Sequence, residues 1–246
     1  PSNISMIITK NQGEHNGHDD HDDHDDHSDH DDHDDHDDHD DHDDHDDHED
    51  STIVSEEGET AFDYDPHSWL DPLSYKEQVK VVLDALVDKF PFGSEIFTSN
   101  AERFMLSLDR LHLDFDESLG DSTVCQTRIV AANHNAYSYI SERYNIEFIT
   151  VHGLDPEGNP SPSDILKVVN KINEGNINIL FIEEYTKTSS VQSIVDETGV
   201  EVRYLYTMEL APGDDNEGQS DSSDDYLSLM YKNLESLKFG LGCTVS

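Results

Sequence analysis

The stretch Ser163-Asp-Ile-Leu-Lys-Val-Val-Asn-Lys-Ile-Asn-Glu-Gly-Asn-Ile-Asn-Ile-Leu-Phe-Ile-Glu-Glu184 decides the fold. Its first half carries apolar residues at three- and four-residue spacing, which predicts a helix over Ser163–Asn173 capped by Ser161 or Ser163. After Gly175 and Asn176 the period changes. Ile177–Ile182 is a nearly continuous apolar run, the mark of a strand buried on both faces. The same unit recurs on either side. Strands are expected at Arg128–Ala132, Phe148–Val151 and Val200–Tyr206, and helices at Ala136–Arg143, Ser189–Thr198 and Asp224–Lys238. Strands alternating with helices indicate an α/β fold with a parallel sheet, whose ligands lie beyond the carboxyl ends of the strands.

Upstream the pattern is purely helical. Tyr75, Val79, Val82, Leu83, Leu86 and Phe90 recur on one face until Pro91 and Gly93 stop the helix. Phe97, Ala101, Phe104, Met105, Leu108, Leu111, Phe115 and Leu119 then hold one stripe over more than twenty residues. Such a helix is about 30 Å long, enough to join two halves of a molecule. Ahead of it there is one short apolar run, Ile4–Thr9, and one helix, too little to close a core. We therefore expect the first α/β lobe to be incomplete in this chain.

Charge is the other dominant feature. The 246 residues hold 14 Lys+Arg and 57 Asp+Glu, a net charge of −43. That excludes the basic surface by which most proteins bind nucleic acid, and it disfavours anionic lipid. No run approaches the roughly 18–20 apolar residues of a membrane span. Much of the charge sits in residues 15–50, a His-Asp-Asp repeat broken once at Ser28. This segment holds His15, His18, His21, His24, His27, His30, His33, His36, His39, His42, His45 and His48 and 21 acids, with no apolar side chain. It cannot repay the entropy of folding, so disorder is expected in the absence of metal. An acidic spacer has no need of twelve imidazoles, which are good ligands for zinc, nickel, copper and cobalt. His at every third position lie about 10 Å apart in an extended chain, so each site requires a bend and should be weak. The other 210 residues still carry −22 and about 39% apolar residues, enough for a core.

Three further places carry candidate chemistry. His67 stands in Asp65-Pro-His-Ser-Trp-Leu-Asp-Pro72, just ahead of a helix that Asp71 would cap with Pro72 at its first position. His134, in Asn133-His-Asn-Ala-Tyr137, and the pair Glu183-Glu184 each follow a strand at its carboxyl edge. Taken alone, the two carboxylates fit helix-end electrostatics or metal ligation equally well.

Together, Asp65–Pro72, His134-Asn-Ala-Tyr137, Phe181-Ile-Glu183, Glu197-Thr-Gly199 and the tail Tyr226–Glu235 resemble the zinc- and manganese-binding solute-binding proteins of ABC importers, solute-binding protein family 9. The resemblance covers about residues 52–243. It implies two (βα)4-type parallel-sheet lobes joined by one long rigid helix, with metal held in the cleft. The corresponding divisions are 1–14 and 51–93 in the first lobe, 15–50 as a metal-chelating loop, 94–120 as the linking helix and 121–246 as the second lobe. His67 and His134 match the family's second and third His ligands. Glu183 matches a carboxylate that ligates metal in manganese-type members. The family's first His is expected upstream of this chain. Met208 stands at or near the place of a late Asp ligand of manganese-type members, and loss of that carboxylate beside retained imidazoles favours Zn2+ over Mn2+, whereas Glu209, if it substitutes, would support Mn2+. His112 and His152 match no motif and are read as structural.

The resemblance further implies an extracytoplasmic protein without catalysis, monomeric, anchored through a missing amino-terminal segment, and delivering Zn2+ to an ABC permease. Alternatives are a manganese-binding member, and a metal-dependent adhesin or storage protein. A metalloenzyme is disfavoured because no HExxH, HxxEH or Cys-pair signature appears. Two cysteines are by count either one bridge or two thiols. An extracytoplasmic location permits a Cys125–Cys243 disulfide clasping the two ends of the second lobe.

Overall fold

In a computed structural model, residues 64–120, 125–153, 161–211 and 221–244 are described. The apolar run at Ile4–Thr9 and the whole His-Asp-Asp repeat lie outside them. The elements run α1 (Pro72–Lys89), α2 (Ser94–Leu119), β1 (Ile129–Ala132), α3 (Ser138–Tyr144), β2 (Glu147–Thr150), α4 (Pro162–Gly175), β3 (Ile179–Glu183), α5 (Gln192–Thr198), β4 (Glu201–Leu205) and α6 (Tyr226–Leu241).

The four strands form one parallel sheet in the order β2-β1-β3-β4. The pattern that predicts β3 is met in space, since all five of its residues are buried. Its two faces divide between two apolar clusters. Ile179 and Phe181 join Val130 and Ala132 of β1 against α2, α3 and α6, contributing Phe115, Ile140, Met230, Leu234 and Leu237. Leu180 and Ile182 join Ala131 against α4 and α5, through Val168, Val169, Ile172 and Ile194. A parallel sheet covered on both faces requires such double burial. From β1 the chain crosses to β2 on one side, then returns to β3 on the other. The strand order therefore reverses between β1 and β3, and a crevice opens at their carboxyl ends.

Helix ends follow local chemistry. Ser161 rather than Ser163 caps α4, accepting from Asp164 N–H, with Pro162 in the first turn. Asp225 and Ser228 form a reciprocal capping box on α6. Helix α3 begins at Ser138, later than the expected Ala136, because Asn133–Asn135 bend away from the strand first. The segment expected as one helix from Ser189 opens as a 3-10 turn, Thr188–Val191, and becomes α-helical at Gln192.

The α1 stripe is used only in part. Tyr75 packs on Tyr226, with ring centroids 4.4 Å apart, and meets Phe104 edge-on. Val82, Phe90, Phe92 and Ile96, towards the α1–α2 turn, are exposed. In α2 the buried positions are Leu108, Leu111, Phe115 and Leu119, in its second half. Cys125 and Cys243 are joined as a disulfide, S–S 2.11 Å, between the approach to β1 and the end of α6.

Helix α6 crosses β3 closely at Gly240. A Cβ there would lie 2.7 Å from Phe181 Cζ, and Phe181 is buried with no room to turn. Alanine in a helix gains about 1 kcal/mol over glycine. Overpacking costs about 1–3 kcal/mol. Gly240→Ala should therefore lower the thermal midpoint, against the helix-propensity trend, as measured by circular dichroism.

Candidate metal centre

Three of the strands end in residues that carry polar side chains into the crevice. After β1 the chain turns through Asn133 and His134, the first tied to β3 by Asn133 N–H donating to Phe181 O at 2.8 Å. After β3 come Glu183, Glu184 and Tyr185. After β4 come Thr207, Met208 and Glu209. The fourth contribution, His67, arrives from a segment preceding α1.

That segment is held at several points. Tyr139 OH donates to Asp65 O at 3.0 Å. Trp69 Nε1 donates to Thr207 O at 2.8 Å, and Tyr226 OH donates to Trp69 O at 2.7 Å. Asp71 caps α1 through Ser74 N–H and also pairs with Arg143 of α3. The motif residues flanking His67 thus fasten it to α3, α6 and the β4–α6 loop. His67 is 3% exposed. Its Nδ1 and backbone N–H both lie on Asp65 Oδ1, at 2.8 and 2.9 Å, and its Nε2 faces Glu209 Oε1 at 3.2 Å. The rings of His67 and His134 meet edge to face, with centroids 5.0 Å apart.

Among the described residues, His67, His134 and Glu209 form the one group of metal-ligating side chains whose donor atoms all lie within 4.8 Å of one another. Two ligands of a tetrahedral zinc at 2.0–2.1 Å are separated by about 3.4 Å. The His67–Glu209 spacing already fits that, and the trio needs a modest closure. Two imidazole nitrogens and one carboxylate oxygen are a zinc-type donor set.

Glu183, expected as a ligand, is outside this trio. It is 1% exposed, and its Oε2 accepts from Thr186 Oγ1 at 2.6 Å and Asn133 Nδ2 at 3.2 Å. Its Oε1 lies 3.7 Å from His134 Nδ1. A carboxylate in that place steers the ring of a ligating His. Glu184, also buried, accepts the N–H groups of Thr207 and Met208, each at 2.9 Å. These two bonds hold Met208 at φ 59°, a left-handed conformation that a bulky residue adopts at a cost of roughly 1–2 kcal/mol. Just before this turn, Asn233 of α6 clamps Tyr206, accepting its N–H at 2.7 Å and donating to its carbonyl at 2.8 Å. Tyr185 OH donates to Glu209 Oε2 at 2.7 Å. Glu184, Tyr185 and Asn233 carried no sequence signal for these roles. Asp65 did, by standing two residues ahead of His67. His112 bonds to Tyr144 OH at 3.1 Å on α2, and His152 lies in the turn after β2. Neither joins the trio.

The electrostatics are those of a site held together by a proton. Burial opposes the charged form of His67, but hydrogen bonds and charge from Asp65 and Glu209 outweigh it, raising its pKa from 6.5 to about 9. Burial likewise opposes ionised Glu209, and the hydrogen bonds from His67 and Tyr185 with the charges of both imidazoles hold it below the usual carboxylate value. For Glu184 burial prevails over the backbone donors, and its pKa is raised.

The family described as the periplasmic component A of the zinc-uptake complex, ZnuA, matches residues 4–240. The chain belongs to this family. The zinc-binding protein AdcA of Streptococcus pyogenes serotype M6 is 28% identical over 184 residues, which is 75% of this chain and 34% of AdcA. The manganese-binding lipoprotein MntA of Halalkalibacterium halodurans is 28% identical over 181 residues, 72% of this chain and 57% of MntA. The Zn(II)-bound ZnuA-like domain of Streptococcus pneumoniae AdcA shares the fold, with a TM-score of 0.60 at 25% identity over 73% of this chain and 64% of that one. This member of the ZnuA family thus spans about a third of the length of AdcA and somewhat over half of MntA. The family is one of metal uptake, not of catalysis.

The raised pKa of His67 has two consequences. Its stabilising contribution to the metal-free fold is complete below about pH 6.5 and is lost as pH rises towards about 9. A metal ligated by His67 needs the neutral ring, so at neutral pH an ion entering the candidate trio should displace close to one proton from His67, and its apparent affinity should climb with pH up to about 9. Calorimetry in two buffers of different ionisation enthalpy measures the proton released.

Proposed function

We propose that the chain captures Zn2+ at His67, His134 and Glu209 outside the cytoplasm and passes it to the membrane permease of an ABC importer. The observation that carries this reading is the convergence of two buried imidazoles and one carboxylate within 4.8 Å at the carboxyl edge of the sheet. The zinc-binding AdcA relatives support it. The protein binds and releases metal as a monomer and performs no bond chemistry. A fourth ligand from outside the trio completes the tetrahedral coordination.

The twelve His of residues 15–50 serve in this reading as a low-affinity reservoir, raising the effective metal concentration beside the cleft. Glu183 holds His134 in place instead of ligating the ion. A second reading, manganese as cargo, is favoured by the MntA relative and by the carboxylate Glu209. Manganese prefers more oxygen donors than the trio supplies, so zinc is the better match. Competition between the two ions in one titration discriminates them.

Titration of the protein with zinc tests the assignment. His67→Ala or His134→Ala should weaken the tight class of site by more than about 100-fold, since even groups that merely support a ligand are worth about 10–100-fold. Deleting residues 15–50 should remove a weaker, more numerous class and leave the tight class intact. Loss of tight binding on loop deletion, with the cleft variants unaffected, would falsify the cleft as the capture site.

A further inference from the structure

We propose that Tyr185 sets the metal preference of the site, by restricting Glu209 to one coordinating oxygen. The inference rests on reading His67, His134 and Glu209 as metal ligands. Glu209 is the outermost of the three, with its side chain 29% exposed, and comes from a loop. Its two oxygens are not equivalent. Oε2 accepts from Tyr185 OH at 2.7 Å, and Oε1 faces His67 Nε2 at 3.2 Å. The backbone behind it is fixed as well, by the two bonds from Thr207 and Met208 to Glu184. An ion drawing on both oxygens would have to compete with Tyr185 OH for Oε2.

The consequence for selectivity follows from coordination number. Tetrahedral zinc takes one atom from each ligand. Manganese favours six oxygen-rich positions, and a carboxylate able to bind through both oxygens helps to fill them. A hydroxyl that holds one oxygen away from the ion therefore favours the smaller coordination number. Tyr185 directly follows Glu184, so β3 delivers in consecutive residues the group that shapes the Glu209 loop and the group that orients its side chain.

The test compares the full chain with Tyr185→Phe, which keeps the ring and removes the hydroxyl. Free metal is buffered low enough that only the tightest class of site fills. The ratio of zinc to manganese affinity should fall by about tenfold, the lower range for loss of a group supporting a ligand. Zinc should weaken while manganese holds or strengthens. With Co2+ as a probe, the wild-type chain should give the intense visible bands of four coordination, and Tyr185→Phe should give weaker bands. Metal-free melting of both proteins checks that the variant folds. An unchanged ratio and cobalt spectrum, or an equal loss for both ions, overturns the role of Tyr185. A weak, six-coordinate cobalt spectrum in the wild-type chain overturns it without any variant. Absence of a tight site sensitive to His134→Ala overturns the metal-site reading itself, and this inference with it.

Discussion

Strand β3 is buried on both faces, and that burial dictates what its carboxyl end can do. Three consecutive polar residues leave an apolar environment together, and a buried carboxylate without partners costs several kcal/mol. Each of the three finds partners on a different neighbour. Glu183 turns to Asn133 and to the turn at Thr186. Glu184 takes two backbone N–H groups of the β4–α6 loop. Tyr185 reaches Glu209. The bonds that satisfy the end of β3 are therefore the same bonds that place His134 and Glu209. Parallel pairing of β3 with β1 on one side and β4 on the other makes those neighbours available.

His67 is not part of the sheet, and it is brought in by different physics. The segment from Asp65 to Asp71 is short, contains Pro66 and is fastened at Asp65 O and Asp71 to α3, and at Trp69 to α6 and the β4–α6 loop. Little conformational freedom remains to be lost when an ion arrives, which is the energetic advantage of a preorganised site. Asp65 and Glu209 flank the two ring nitrogens of His67 and favour its protonated form.

The sequence makes some of this legible and hides the rest. A change of period from helix to strand within Ser163–Glu184 is enough for the parallel sheet, because double burial leaves no polar alternation to confuse the reading. His67 and His134 can be singled out as candidates because each stands in a motif with unusual neighbours, and the structure brings their rings together. Which of Glu183 and Glu209 stands beside His67 is not legible. Both follow strands by a few residues, and the difference is whether the side chain points at Asn133 or at His67, which depends on the left-handed turn at Met208. No periodicity encodes that turn. Likewise, the α1 stripe signals a helix correctly and says nothing of what covers it, and Val82 and Phe90 are exposed among the described residues.

Net charge and ligand geometry divide the task of choosing a cation. A chain at −43 draws every cation towards it, calcium and magnesium no less than zinc, and its field has no means of telling them apart. Hard cations want six or more oxygens, and carboxylates by the dozen would favour them. Discrimination therefore has to come from nitrogen. The proposed site would supply it from two imidazoles buried side by side, with Glu209 as its one carboxylate and the other nearby acids engaged elsewhere, Asp65 with His67, Glu183 with Asn133 and Thr186, and Glu184 with the backbone. Had those three acids been free to face the ion, the site would have been an oxygen cage. In the proposed site their hydrogen bonds leave nitrogen the larger share of the donors, so selectivity there would rest as much on the groups withheld from the metal as on those offered to it.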